Sequence, residues 1–282
     1  MLRRIGALLL AFIWYPAACY SSSGLGSADS DVHVYPLTQT VSIPLEVLSP
    51  TQSAPTAGTD ATALLASPGA EDELPEGPNG FDVLEDGRLL ISDPLADRVA
   101  VFDAQGKLQQ SWKLDFSPDS VTLVGHEVVV VRDAATGQLH GFSVDGRSHA
   151  LPGDMSPKLG EVRLKSGNAA VVTPSADAGG HPQPLQISFD RPGMSLLSVE
   201  ILAVDKDGNT YLAVESTKGG DEVNVQKDIR KYSSSGTFLG QVVQIPLDYY
   251  IPPVNELRVR NGVVYQLETT KTEVRINMWN TK

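Results

Sequence analysis

Four carboxylates stand at corresponding points along the chain. Asp93, Asp133, Glu215 and Glu268 each follow a short apolar run. Gathered at one rim they would hold a divalent cation; left apart, each would serve an ion pair or a turn within its own unit. Asp205-Lys-Asp-Gly-Asn209 has the spaced oxygen donors that open a calcium loop. The further ligands ending in Glu are missing, and its place between apolar runs makes it a strand-connecting turn. The 5 histidines, His33, His126, His140, His149 and His181, show no paired metal spacing. Neither a Gly-X-Ser-X-Gly elbow nor a phosphate loop occurs, so nucleophilic hydrolysis and nucleotide binding lack local support, and no cofactor is implied. Tyr249 and Tyr250, in Tyr249-Tyr-Ile-Pro-Pro253, offer rings that can stack on sugar, anchor a protein partner, or pack between neighbouring units.

These residues sit on a recurring pattern of short strands. Phe81-Asp-Val-Leu84, Leu89-Leu-Ile-Ser92, Val99-Ala-Val-Phe102 and Leu108 to Leu114 are separated by polar turns at Glu85-Asp-Gly87, Asp93 to Asp97 and Asp103-Ala-Gln-Gly106. Runs of this length broken by Asp/Gly turns predict an antiparallel meander. A turn glycine recurs at Gly87, Gly125, Gly167, Gly208 and Gly262, about forty residues apart apart from one longer gap. An aromatic residue lies four positions before a second turn glycine in Phe102/Gly106, Phe142/Gly146 and Tyr232/Gly236. The period is that of four-stranded propeller blades, and the unit from Val162 to Asp190 is degenerate, interrupted by Pro174, Pro182 and Pro184.

Pro78-Asn-Gly-Phe-Asp-Val-Leu-Glu-Asp-Gly-Arg-Leu-Leu-Ile-Ser-Asp93, continuing through Asp97-Arg-Val-Ala-Val-Phe-Asp-Ala-Gln-Gly-Lys107, resembles an NHL-type propeller repeat. Leu202-Ala-Val-Asp-Lys-Asp-Gly-Asn-Thr-Tyr-Leu-Ala213 is similar to the first half of one. The resemblance implies an all-β propeller of four-stranded antiparallel blades, in the manner of six-bladed bacterial lipoproteins. It also implies an Asp93–Arg98 pair within the blade. Propeller enzymes of the lyase and lactonase kinds gather acidic and amide groups at a central mouth around a cation, which is the alternative role for the four carboxylates.

Five detectable units and an N-terminal contribution predict five or six blades. The C-terminal unit, Glu256 to Arg260, Val263 to Glu268 and Val274 to Trp279, is one strand short. Val41 to Val47 supplies the missing strand, with Val32 to Tyr35 as a further candidate, and Pro44 favours an outer position. Residues 32–282 form the propeller domain, with a mobile excursion at about 49–77, where Ala, Pro, Thr and Gly dominate. Ser216 to Gln226 reads as a loop inserted in the fourth unit.

Ahead of this domain, Arg3 and Arg4, an apolar stretch and small residues lay out an export signal over residues 1–18. Pro16-Ala-Ala-Cys19 resembles the lipobox of bacterial lipoproteins, departing from it at Pro16, where Leu is usual. The resemblance implies that Cys19 is the lipidated N-terminus, and Tyr20 in place of Asp implies the outer membrane of a Gram-negative cell. Residues 19–31 form a Ser/Gly-rich tether. Cys19 is the one cysteine, so the domain is held by its core without disulfides.

The formal charge of −12 disfavours nucleic acid, which needs a basic stripe absent here. The resulting expectation is a membrane-anchored, non-catalytic binding or scaffolding subunit with an envelope protein partner. A metal-dependent lyase or lactonase, and a glycan-binding lipoprotein, are the alternatives.

Overall fold

One local rule builds most of the units: an apolar run forms a strand, and a turn ending in a left-handed glycine sends the chain back. Gly106, Gly146, Gly208 and Gly236 have φ of 79°, 84°, 77° and 86°. Each donates its N–H to the carbonyl three residues earlier, on Asp103, Ser143, Asp205 and Ser233. Side-chain oxygens of Asp103 and Asp205 also accept backbone N–H groups, which closes these turns locally. Gly146 has a second constraint, since a Cβ there would stand 2.4 Å from Trp112 Cγ.

The structure is a computed structural model that describes residues 32–48, 62–69, 73–151, 159–175, 184–189, 191–219 and 224–282. The expected export signal, Cys19 and the expected tether lie outside these residues. The first strands among the described residues are β1 (Gln39–Val47) and β2 (Leu64–Ala66). Blade 1 is β3 (Phe81–Val83), β4 (Leu89–Asp93), β5 (Arg98–Phe102) and β6 (Leu108–Lys113). Blade 2 is β7 (Pro118–Val124), β8 (Val128–Asp133), β9 (Leu139–Ser143) and β10 (Ser148–His149). Blade 3 has three strands among the described residues, β11 (Gly160–Lys165), β12 (Ala169–Pro174) and β13 (Leu185–Ser188). Blade 4 is β14 (Met194–Val204), β15 (Thr210–Lys218), β16 (Asn224–Tyr232) and β17 (Phe238–Val242). Blade 5 is β18 (Leu257–Arg260), β19 (Val263–Thr269) and β20 (Glu273–Asn280).

Blade 5 is completed by β1, which runs antiparallel to β20 from Gln39 opposite Met278 to Pro44 opposite Glu273. The architecture is therefore a β-propeller of antiparallel blades, five among the described residues, closed by an N-terminal strand. Val32 to Tyr35 serves a different blade from the one expected of it. Val34 bridges Gln241 on β17, and Tyr35 packs into the seam between blades 4 and 5. The N-terminal segment thus fastens two neighbouring blades.

Where both faces of a strand lie against other blades, the residues in the seams are apolar. In β4, Leu89 and Ile91 face the seam with blade 5, whereas Leu90 faces blade 2. In β15, Leu212 and Val214 face blade 3, whereas Tyr211 and Ala213 face blade 5. Alternation across a strand makes this double burial possible. Blade 3 departs from it: Val162, Ala170, Val172 and Ile187 pack on blade 4, but the other face carries exposed Glu161, Arg163, Lys165, Gln186 and Ser188. Among the described residues no apolar cluster joins blades 2 and 3. Among the described residues the degenerate third unit is thus one strand short and polar on one face.

Two segments need correction. Leu64–Ala66, inside the stretch expected as a mobile excursion, is a fully buried strand parallel to Leu45–Val47. Its short apolar core was hidden by the Ala/Pro/Thr/Gly composition around it; residues 49–61 and 70–72 lie outside the described ones. The expected insertion from Ser216 is a lengthened hairpin, since Ser216 pairs with Gln226, Thr217 with Val225 and Lys218 with Asn224.

Candidate functional site

The four carboxylates all lie on the second strand of a blade, Asp93 and Asp133 at its end, Glu268 one residue before it and Glu215 three residues before it, and each finds partners close by. Asp93 pairs across the ladder with Arg98, whose Nε and Nη2 both stand 2.9 Å from Asp93 Oδ2. Leu65 N–H donates to Asp93 Oδ1 at 3.3 Å, and Arg98 donates to the Ala63 carbonyl at 2.6 Å, so the pair also fastens β2. Burial pushes the Asp93 carboxyl up to about 6, against the pull of Arg98 and of the backbone donors. Asp133 closes a turn, accepting from Thr136 Oγ1 at 2.6 Å and from Ala135 N–H at 2.8 Å. The Thr136 bond, with that from Ala135, holds its carboxyl below the usual range.

Glu215 and Glu268 repeat the cross-strand arrangement. Glu215 lies opposite Lys227, with Oε1 2.9 Å from Nζ, and accepts from Ser198 Oγ at 2.8 Å. Burial raises its pKa, but the hydrogen bonds from Lys227 and Ser198 overcome this and lower it. Glu268 lies opposite Arg275 at 3.6 Å and accepts from Asn277 Nδ2 at 2.8 Å. Three of the four thus have a basic residue directly opposite on the third strand. Among the described residues, no three His, Cys, Asp or Glu side chains are grouped to hold a metal ion. Asp205 is engaged in its own turn, as Asn209 Nδ2 donates to it at 2.9 Å.

The tyrosines lead to residues the sequence reading missed. Tyr249 donates to Glu256, stands 2.9 Å from the Pro246 carbonyl, and accepts from Gln266 Nε2 at 2.9 Å. Burial, countered by Gln266 and reinforced by the charges of Glu268, Asp248 and Glu215, pushes its phenol up to about 12. Glu256 also binds Lys227, the partner of Glu215. From Gln266 the chain of bonds passes to Asn277 at 3.3 Å, and Asn277 reaches Glu268. Glu215 and Glu268 are therefore linked indirectly through a polar network across blades 4 and 5. Tyr250 instead packs on the apolar cluster between blades 5 and 1.

This network borders a cleft of about 490 Å3. The connection between blades 4 and 5 supplies Pro252, Pro253 and Val254; β14 supplies Glu200, Ile201 and Leu202; β18 supplies Leu257 and Arg258; and Leu159 precedes β11. Its volume is that of a small-molecule site, and half-apolar walls suit binding through both contact area and a few fixed polar groups. Beside it, inner strands of different blades meet at a buried charge. Asp82 on β3 is 1% exposed and accepts from Val83 N–H at 2.7 Å and Leu123 N–H at 2.8 Å. Arg260 Nη2 stands 3.3 Å from Asp82 Oδ1, and Arg258 Nε 3.5 Å from Oδ2. The period-two spacing of Arg258 and Arg260 on an inner strand is the signal that could have found them. A second cleft, about 430 Å3, lies among Arg88, Gln110, His126 and Asp145 over the turns of blades 1 and 2.

No family model matches the chain, and no curated protein matches it. Among solved structures it is similar to a member of the DUF4221 family from Bacteroides vulgatus, at 9% identity and a TM-score of 0.31, covering 87% of this chain and 97% of that one. It is also similar to virginiamycin B lyase from Staphylococcus aureus, at 10% identity and a TM-score of 0.28, covering 72% and 94%. For BBS1N in complex with ARL6DN the identity is 12% and the TM-score 0.26, with 73% of this chain and 66% of that one covered. At these values neither a partner nor an activity carries over to the present chain.

Proposed function

We propose that the chain is an exported, lipid-anchored subunit of the bacterial cell envelope whose propeller binds a partner or ligand without catalysing a reaction. The observation behind this reading is the contrast at the cleft face. Each carboxylate that would have served a catalytic cation is held by neighbours in its own blade, whereas the cleft between blades 4 and 5 has a binding site's size and mixed lining. In this reading Cys19 carries the lipid, residues 19–31 act as tether, and the outer membrane is the site of attachment. The rigid inter-blade connection at Pro252-Pro253 presents the cleft to a protein partner in the envelope.

Replacing Cys19 with Ser is expected to move the protein from the membrane fraction to the soluble fraction with an unchanged circular-dichroism spectrum. Retention in the membrane would sink the anchor. Crosslinking of the intact protein in membranes is expected to capture a fixed envelope protein, and Val254→Glu, at the exposed cleft rim, to abolish that capture. A protein that crosslinks to nothing and binds polysaccharide would favour the glycan reading. Stoichiometric calcium or zinc, lost on Asp133→Asn, would favour the lyase or lactonase reading.

A further inference from the structure

We propose that the cleft between blades 4 and 5 is a site for an organic carboxylate, its planar head held by Arg258 and its apolar body lying against Leu159, Ile201 and Leu257. The inference rests on the reading of this face as the binding face and names the chemistry it takes.

Beside the cleft, two guanidinium groups share one buried carboxylate. Arg258 and Arg260 both lean on one carboxylate, Asp82, which already accepts two backbone N–H groups. The guanidinium contacts to it are long, from 3.3 to 3.5 Å. The other carboxylate whose charge reaches Arg258, Glu200, is exposed, so the two guanidinium groups have one buried counter-charge between them. The Nε atoms of both arginines are shut off from solvent and make no hydrogen bond. Arg258 Nη1 donates to the Leu257 carbonyl at 3.0 Å, and the side chain lies within 5.8 Å of the Phe81 ring centroid, which fixes where its fork sits. Burial lowers the Arg258 pKa, against the pull of the Asp82 and Glu200 carboxylates and with Arg260 adding to the fall.

A guanidinium fork is matched by a planar, two-oxygen, singly charged group. Glu200 and Glu256 border the same cleft, and a ligand with two negative charges would meet both. A phosphate dianion is therefore the poorer match. Glu200 is exposed, and its charge reaches Arg258, so it competes with any bound carboxylate. The apolar lining gives no gain to a bare anion and favours one with a hydrocarbon body.

The test uses the full-length protein with 3-phenylpropionate and the matched alcohol 3-phenylpropanol, their affinities measured by calorimetry and ligand-observed NMR at neutral pH. The carboxylate is expected to bind about ten- to a hundredfold more tightly than the alcohol. Arg258→Gln is expected to erase that preference while leaving alcohol binding in place. Glu200→Gln, at an exposed position where folding is not at stake, should tighten carboxylate binding about two- to fivefold. Equal affinity for acid and alcohol, a preference that survives in folded Arg258→Gln, or no change in Glu200→Gln would each overturn the proposal. So would inorganic phosphate displacing the acid at similar concentration. Partner capture that persists without any carboxylate preference would sink this inference alone and leave the binding-module reading standing.

Discussion

Arg98→Met is expected to lower the unfolding free energy by about 3–5 kcal/mol at neutral pH, measured by urea denaturation. The pair it breaks is shut away from solvent, with Arg98 3% exposed and Asp93 0%. Methionine fills much of the space but leaves the carboxylate with backbone donors alone, in a site where burial already pushes its pKa up to about 6. The same guanidinium holds the Ala63 carbonyl, so the loss extends to β2, whose Leu64–Ala66 lie wholly inside. The sign of the pH dependence follows from the raised pKa. The folded state binds a proton to Asp93 more readily than the unfolded state, so this group favours folding at low pH and loses that contribution as pH rises through about 6. The deficit of Arg98→Met should therefore be largest above pH 6 and shrink as Asp93 becomes neutral. Asp93→Asn combined with Arg98→Met should recover part of it. A deficit under about 1 kcal/mol, or one that grows on acidification, would show that the pair is not what holds this corner.

Removing residues 39–47 is expected to abolish monomeric folding. The segment places Val41, Ile43 and Leu45 in the seam between blades 5 and 1 and pairs with β20 from Val274 to Met278. Without it β20 becomes an open edge, which invites pairing with other chains, and Ile276 and Met278 lose their cover. Size-exclusion chromatography should find oligomers or aggregate in place of monomer. A synthetic peptide of residues 39–47, present during refolding, should restore the monomer. The point variant Ile43→Ala tests the same seam more gently, with an expected cost of about 2–5 kcal/mol, because this side chain is 0% exposed. A truncated chain that remained a cooperative monomer would show that the seam between blades 5 and 1 closes without its N-terminal strand.

The two largest effects thus lie where distant segments are fastened together, and the same places mark the limit of a reading from residues alone. Strands β3 to β6 were legible to within a residue or two, since alternating apolar runs and Asp/Gly turns are short-range patterns. The N-terminal closing strand was legible too, because a C-terminal unit of three strands demands a fourth. Strand β2 was not, since three apolar residues in a Pro/Ala/Thr-rich stretch carry no period, and its burial depends on β1 and on Arg98.

Position in the repeat placed Asp93 and Asp133 at a strand end, whereas β15 runs three residues beyond Glu215. Repeat position could not say whether those residues would converge, because that depends on what stands opposite in the ladder. Arg98, Lys227 and Arg275 do, and they keep Asp93, Glu215 and Glu268 within their own blades. The cleft beside Arg258 lay further still from any local pattern. Asp82 and Arg260 are 178 positions apart and meet only because the ring brings the first blade against the last. By itself, then, the sequence determined the strands, their turns, the repeat and the closing strand, all of which arise from neighbours in the chain. Tertiary structure decided which charges are satisfied and which are left facing a cleft, because burial and charge balance are set by segments that local sequence cannot see.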